Sequence, residues 1–217
     1  MLFVDRADAG RRLAQRLLRT RSAGTGLVLA VPRGGVVVGY EIARRLEIPL
    51  DIVVARKIGA PFNKELAIGA VGADGSVVQR EDLAGFFENI EEEYLEAESR
   101  RQVAEIERRL QKYRGGRPEP DLKGQKIILC DDGIATGYTI RAAIQYLWNE
   151  GVAEITLAVP VAPADTLRTL QDEVDHVVCL ASPEPFYAVG QFYQTFDQTT
   201  DEEVIRLLQK ACPAGDH

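Results

Sequence analysis

Two adjacent carboxylates, Asp131 and Asp132, stand where an aliphatic run gives way to small residues. The stretch Ile127–Thr139 reads Ile-Ile-Leu-Cys-Asp-Asp-Gly-Ile-Ala-Thr-Gly-Tyr-Thr. Three aliphatic residues and a cysteine predict a buried parallel strand, and a helical pattern begins near Thr139 and runs to Asn149. Between them a loop of small residues leads into a helix N-terminus, where free backbone amides and the helix dipole favour an anion. Carboxylates beside an anion cradle are a contradiction unless the ligand is both anionic and hydroxylated. A sugar phosphate with a vicinal diol resolves it: the carboxylates accept from hydroxyls and the amides hold the phosphate. The plainer reading is a strand–turn–helix connection with an Asp-Asp cap.

The stretch resembles the phosphoribosyl-pyrophosphate (PRPP) signature of the type I phosphoribosyltransferases. That signature is a hydrophobic strand, two acidic residues, a hydrophobic residue, then Thr-Gly-x-Thr. Asp131, Asp132, Ile134, Thr136, Gly137 and Thr139 fill it here. The resemblance implies that Asp131 and Asp132 act in catalysis by orienting the ribose hydroxyls and holding the waters of a Mg²⁺ ion. It implies that Ala135, Thr136, Gly137, Tyr138 and Thr139 bind the 5′-phosphate. It implies a magnesium-dependent transfer of the phosphoribosyl group from PRPP to a nitrogenous base with release of pyrophosphate, in nucleotide salvage. The alternative is a non-catalytic PRPP- or nucleotide-binding regulator on the same fold. Ala135 departs from the 6-oxopurine members, which usually carry an aspartate there, so hypoxanthine and guanine are in doubt; Asp132 or Glu65 could supply a base instead.

Elements on either side must position this stretch. Leu27–Val31 predicts a strand ending in Pro32-Arg33-Gly34-Gly35, with a helix following to about Leu46. Glycines after a strand often only permit a tight turn; in the family such a segment is the pyrophosphate loop, so Arg33, Gly34 and Gly35 become pyrophosphate contacts. Leu50–Ala55 predicts the next strand, closed by Arg56 and Lys57. They are either charged residues ending a strand or, for Lys57, a pyrophosphate contact at the root of a lid over residues 58–70. Leu66–Val71 and Ser76–Gln79 predict a hairpin through Ala73-Asp74-Gly75.

Glu81–Arg114 is charged and helical in composition, with Val103, Ile106, Leu110 and Tyr113 at amphipathic spacing. The acidic run Glu88–Glu98 reads as a solvated face, or as a dimer contact or active-site cap. Further strands at Glu154–Val159 and His176–Ala181 alternate with helices, one at Pro163–Gln171 and one after the capping box Thr200-x-x-Glu203. An opening helix at Asp5–Thr20 carries an Asp5 cap. This rhythm predicts an α/β fold, a doubly wound parallel sheet, with the helical insertion at about 81–114 inside a core of residues 1–181. Residues 182–217 would form a small hood. Its aromatics Phe186, Tyr187, Phe192, Tyr193 and Phe196 would pack a mini-core, or Phe186 or Tyr187 would stack on a base.

Composition excludes several classes. The 217 residues carry a net charge of −7, which argues against nucleic acid as a partner. No apolar run approaches the ~18 residues of a membrane span. Cys130, Cys179 and Cys212 have no metal or disulfide spacing. A cytoplasmic protein is the expectation, with a homodimer as one use of the charged helix.

Overall fold

The computed structural model describes residues 2–19, 26–64, 66–80 and 92–211. Elements in chain order are α1 (Arg6–Leu17), β1 (Leu27–Ala30), α2 (Gly34–Leu46), β2 (Leu50–Ile52), β3 (Arg56–Gly59), β4 (Ala67–Val71), β5 (Val77–Gln79) and α3 (Glu92–Arg114). They continue with β6 (Lys126–Cys130), α4 (Tyr138–Asn149), β7 (Glu154–Val161), α5 (Ala164–Gln171), β8 (His176–Ala181), a 3₁₀ turn (Val189–Phe192) and α6 (Asp201–Ala211).

The main sheet is parallel throughout, in the order β2-β1-β6-β7-β8. Its strands are buried on both faces, which is why they read as continuous apolar runs rather than alternating ones. One face is covered by α1, α2, α3 and α6, the other by α4 and α5. Helix α2 lies so close to the sheet that a side chain at Gly39 would meet Ala30 and Cys130 within about 3.0 Å. From β1 the chain moves outward to β2, then returns to β1's other side as β6. The order therefore reverses between β1 and β6, and in open α/β sheets the crevice at such a reversal is where ligands bind.

A second, antiparallel sheet, β3-β4-β5, is entered from the carboxyl end of β2. The strand expected at Leu50–Ala55 stops at Ile52, and Arg56 and Lys57 open β3 instead of closing β2. The Val53 amide donates the last bond, to Ala30 O, and the buried residues Val53, Val54 and Ala55 then cross to the small sheet. An apolar run looks the same in sequence whether it stays in one sheet or passes between two. The expected lid over 58–70 is, in its described residues, the β3–β4 hairpin; Glu65 lies outside the described residues.

Helix α3 forms the described part of the insertion, residues 81–91 lying outside it. Ile106 and Tyr113 are buried, as the amphipathic spacing requires, and the helix packs on β3, β4 and α6. One residue of the acidic run breaks the solvated reading: Glu98 is buried, holding Lys64 Nζ at 3.2 Å, Arg101 Nη2 at 2.8 Å and Gln102 Nε2 at 2.7 Å. The carboxyl-terminal segment divides. Residues Phe186, Val189, Phe192 and Tyr193 pack with Phe3 and Ala9, whereas Val204, Leu207 and Leu208 of α6 join the main core. The Thr200 hydroxyl accepts from Glu203 N at 3.1 Å, one of the two bonds of the expected capping box. Among the described residues no helix is long and apolar enough to cross a membrane.

Candidate active site

Asp131 and Asp132 follow β6 at the reversal point, and the loop after β1 lies against them. An added Cβ at Gly34 would sit 1.9 Å from Asp132 Oδ2 and 2.7 Å from Arg6 Nε. At Gly35 it would meet Asp131 Cα and Oδ1, both at 3.0 Å, and the Cys130 carbonyl at 3.1 Å. The glycine pair is thus explained by close approach: any side chain at Gly34 occupies the space of the carboxylate pair. The Pro32–Arg33 peptide is cis. The Arg33 guanidinium is partly exposed, 3.8 Å from Asp201 Oδ1 at the start of α6, which also holds Lys112 and the Tyr113 hydroxyl.

The loop expected to cradle a phosphate is built from the other side. Gly137 caps α4 in the left-handed region, φ +80°, a conformation that glycine adopts without cost. No side chain caps this helix, so its first-turn amides remain available to an anion. Helix α2 likewise begins without a side-chain cap, bringing a second helix N-terminus to the crevice. The Thr166 hydroxyl donates to Ala135 O at 2.9 Å and ties down the far wall of the loop. Thr136 is exposed and Thr139 half-buried, while Tyr138 lies under the Arg80 guanidinium, 5.4 Å away.

Asp131 Oδ1 accepts from Asp132 N at 2.8 Å. Burial and the neighbouring Asp132 charge push the Asp131 carboxyl well above the usual carboxylate range. Asp132 Oδ2 pairs with Arg6 Nε at 2.7 Å, both side chains largely out of water. Arg6 is itself fixed: Nη1 donates to Asp197 O at 2.7 Å, and the guanidinium stacks on Phe196 at 3.8 Å. The Tyr193 hydroxyl donates to Asp132 O at 2.5 Å, so the amino-terminal helix and the aromatic segment both hold the carboxylate pair. Arg6 is invisible in the sequence, one of several arginines on an amphipathic helix. Replacing it by alanine would leave Asp132 unpaired beside Asp131. A loss of about 2 kcal/mol, read by denaturant unfolding, is expected from the stranded charge.

The other candidates are placed less centrally. Lys57 is exposed on β3, opposite Ala70 of β4. Phe186 packs on Phe192 with ring centroids 4.8 Å apart, inside the aromatic cluster. Tyr187 is 84% exposed, its backbone N–H held by Gln191 Oε1. Among the described residues no group of three or more His, Cys, Asp or Glu side chains is arranged to hold a metal.

The chain as a whole is similar to known proteins. The chain is 45% identical over 210 residues, 97% of its length, to a Mycobacterium tuberculosis H37Rv protein named "Putative phosphoribosyl transferase". It spans about half the length (47%) of that relative, and the same values hold for the counterpart in strain CDC 1551. It superposes on the crystal structure of TT1426 from Thermus thermophilus with a TM-score of 0.81 at 40% identity, covering 98% of this chain and 100% of that one. The family model described as "Phosphoribosyl transferase domain" matches residues 4–193. With the parallel sheet, the small antiparallel sheet and the two facing loops, this shows that the chain belongs to the phosphoribosyl transferase family.

Proposed function

We propose that the chain transfers the 5-phosphoribosyl group of PRPP to a nitrogenous base with the aid of magnesium. The observation that carries this reading is the contact of two loops across one crevice: Gly34 and Gly35 pressed against Asp131 and Asp132. One loop meets the leaving pyrophosphate and the other the ribose and its 5′-phosphate. In the reaction the C1–O bond to pyrophosphate breaks, its electron pair leaving with oxygen. A nitrogen lone pair of the base forms the new C1–N bond, and the base gives up a proton.

The chain's own groups have defined tasks. The amides of Ala135–Thr139 hold the 5′-phosphate, and the amides of Gly34 and Gly35, with Arg33 and Lys57, hold the pyrophosphate. Asp131 and Asp132 accept from the ribose hydroxyls and fix the ring while positive charge develops at C1. The carboxylate pair fits magnesium. Two hard oxygen donors stand side by side, and Asp131 is short of counter-charge. With few protein donors, such an ion would keep waters and bind substrate oxygens as well. When bound it offsets charge on the departing pyrophosphate.

Pyrophosphate release from PRPP, measured across a panel of bases with and without magnesium, tests the reading. Magnesium-dependent release with at least one base is the expected result. Tight PRPP binding with no turnover on any base would leave a regulator in place of the enzyme. In the same assay Asp132→Asn should reduce kcat/KM by about 10²-fold; unchanged turnover would remove the role given to that residue.

A further inference from the structure

Beside the phosphate cradle lies a second cavity, of about 400 Å³, between β3 and α3. Its wall carries Arg56, Lys57, Lys64, Arg101 and Arg109, with Thr139 of the cradle at one side. Glu98 is the one carboxylate on that wall among the described residues, and it is already occupied by Lys64, Arg101 and Gln102. Glu105, behind Gln102, is shared among Arg108 Nε at 2.7 Å, Arg109 Nε at 3.0 Å and, more distantly, Arg56 Nη1 at 3.8 Å. Those hydrogen bonds from Arg108 and Arg109 hold the Glu105 carboxyl down at about 2. Lys57 has no ion pair among the described residues. Among the described residues six cations thus face two carboxylates, in a chain whose net charge is −7. Burial, then the neighbouring Arg109, lowers the Arg56 guanidinium from its usual value. Like charges gathered in a partly closed space repel, and an anion entering it relieves them.

The donor accounts for Lys57 alone on this wall. In the function proposed above its 5′-phosphate has the cradle amides and its pyrophosphate has the Arg33–Gly35 loop and Lys57; Arg101 and Arg109 serve neither. Among the described residues the cavity also has no aromatic face for a neutral planar base. Phe186 is spent in its own cluster and Tyr187 stands in solvent. Arginine, with its planar fork, matches a carboxylate or phosphate.

We propose that this cavity is an anion subsite contiguous with the phosphate cradle, and that the acceptor base carries a carboxylate or phosphate bound there by Arg101 and Arg109. The proposal rests on the transferase reading for the word acceptor, and on the cavity alone for the word anion. Calorimetric titration of the full chain, saturated with unreactive ribose 5-phosphate, separates the two. The probes are orotate and nicotinate against uncharged uracil and nicotinamide, with inorganic phosphate as the phosphate arm. At least one anion should bind tenfold or more tightly than the uncharged probes, and Arg101→Ala/Arg109→Ala should remove that preference. The charge-conserving Arg101→Lys/Arg109→Lys should keep most of it. Both side chains reach solvent, at 65% and 34% exposure, and unchanged ribose 5-phosphate binding reports an intact fold. Equal binding of charged and uncharged probes, no binding by any anion, or a preference that survives the double alanine variant overturns the proposal. Turnover of uncharged bases alone overturns it while sparing the transferase; anion preference without turnover on any base does the reverse.

Discussion

A Gly34→Ala variant should still fold, at a cost of about 2 kcal/mol where the Arg6–Asp132 pair is pushed apart, and lose about 10²-fold in kcat/KM for pyrophosphate release. The new methyl carbon would lie 1.9 Å from Asp132 Oδ2 and 2.7 Å from Arg6 Nε, well inside van der Waals contact. Both atoms belong to side chains, so relief comes from parting the Arg6–Asp132 pair rather than from moving backbone. The fold survives; the carboxylate does not stay where the proposed reaction needs it. A displacement of about 1 Å in a positioning group is enough for a 10²-fold loss. Gly35→Ala is the informative contrast. Its methyl would meet the Asp131 Cα and the Cys130 carbonyl, so that variant should lose more stability than Gly34→Ala, along with activity. Steady-state kinetics with thermal melts on both variants checks the pair. Parental kcat/KM in Gly34→Ala would show that the contact between the two loops has no part in the reaction.

What the sequence reveals and hides follows from the range of the interactions. The strand, small-residue loop and helix over residues 127–139 are local in the chain, and they appear where the pattern places them. The parallel sheet follows from βα alternation, and its reversal point brings the two candidate loops together. Arg6 is different. Its partner Asp132 is 126 residues away, and nothing in helix α1 distinguishes it from Arg11, Arg12 or Arg16. Glu98 hides for a related reason: an acidic run on a helix signals solvent until Lys64, on another element, is known to reach it. The passage from β2 to β3 is hidden by chemistry alone, since Val53 and Val54 would suit either sheet. Charge patterns and short apolar runs specify partners only through tertiary contact, whereas turn and cap chemistry is decided within a few residues.

The second large effect is expected from Asp131→Asn, and it has two opposite signs. Turnover should fall by a factor on the order of 10²–10³, because an amide can neither carry the charge nor serve the metal as a carboxylate does. Stability at neutral pH should rise. Burial and the Asp132 charge raise the Asp131 carboxyl in the folded chain, so the folded state binds this proton more tightly than the unfolded state. Ionising Asp131 therefore costs stability as pH climbs from the unfolded carboxyl value of about 3.9 towards the raised folded value. Asparagine avoids that cost and keeps the local bond, since its Oδ1 can still accept from Asp132 N, now at 2.8 Å. The advantage of the variant should grow as pH climbs through the neutral range and vanish below about pH 4, where both proteins are neutral at this position. Each kcal/mol gained should appear as about 2–4 °C in melting temperature for a chain of this size. Melts of the two proteins from pH 3.5 to pH 8 test the reasoning directly. A variant equally or less stable at pH 7, or one whose advantage persists at pH 3.5, would mean that Asp131 is not held against its own charge. The same strain is what a divalent cation or a ribose diol would relieve on binding, so a site built this way binds its ligand with free energy stored in the fold.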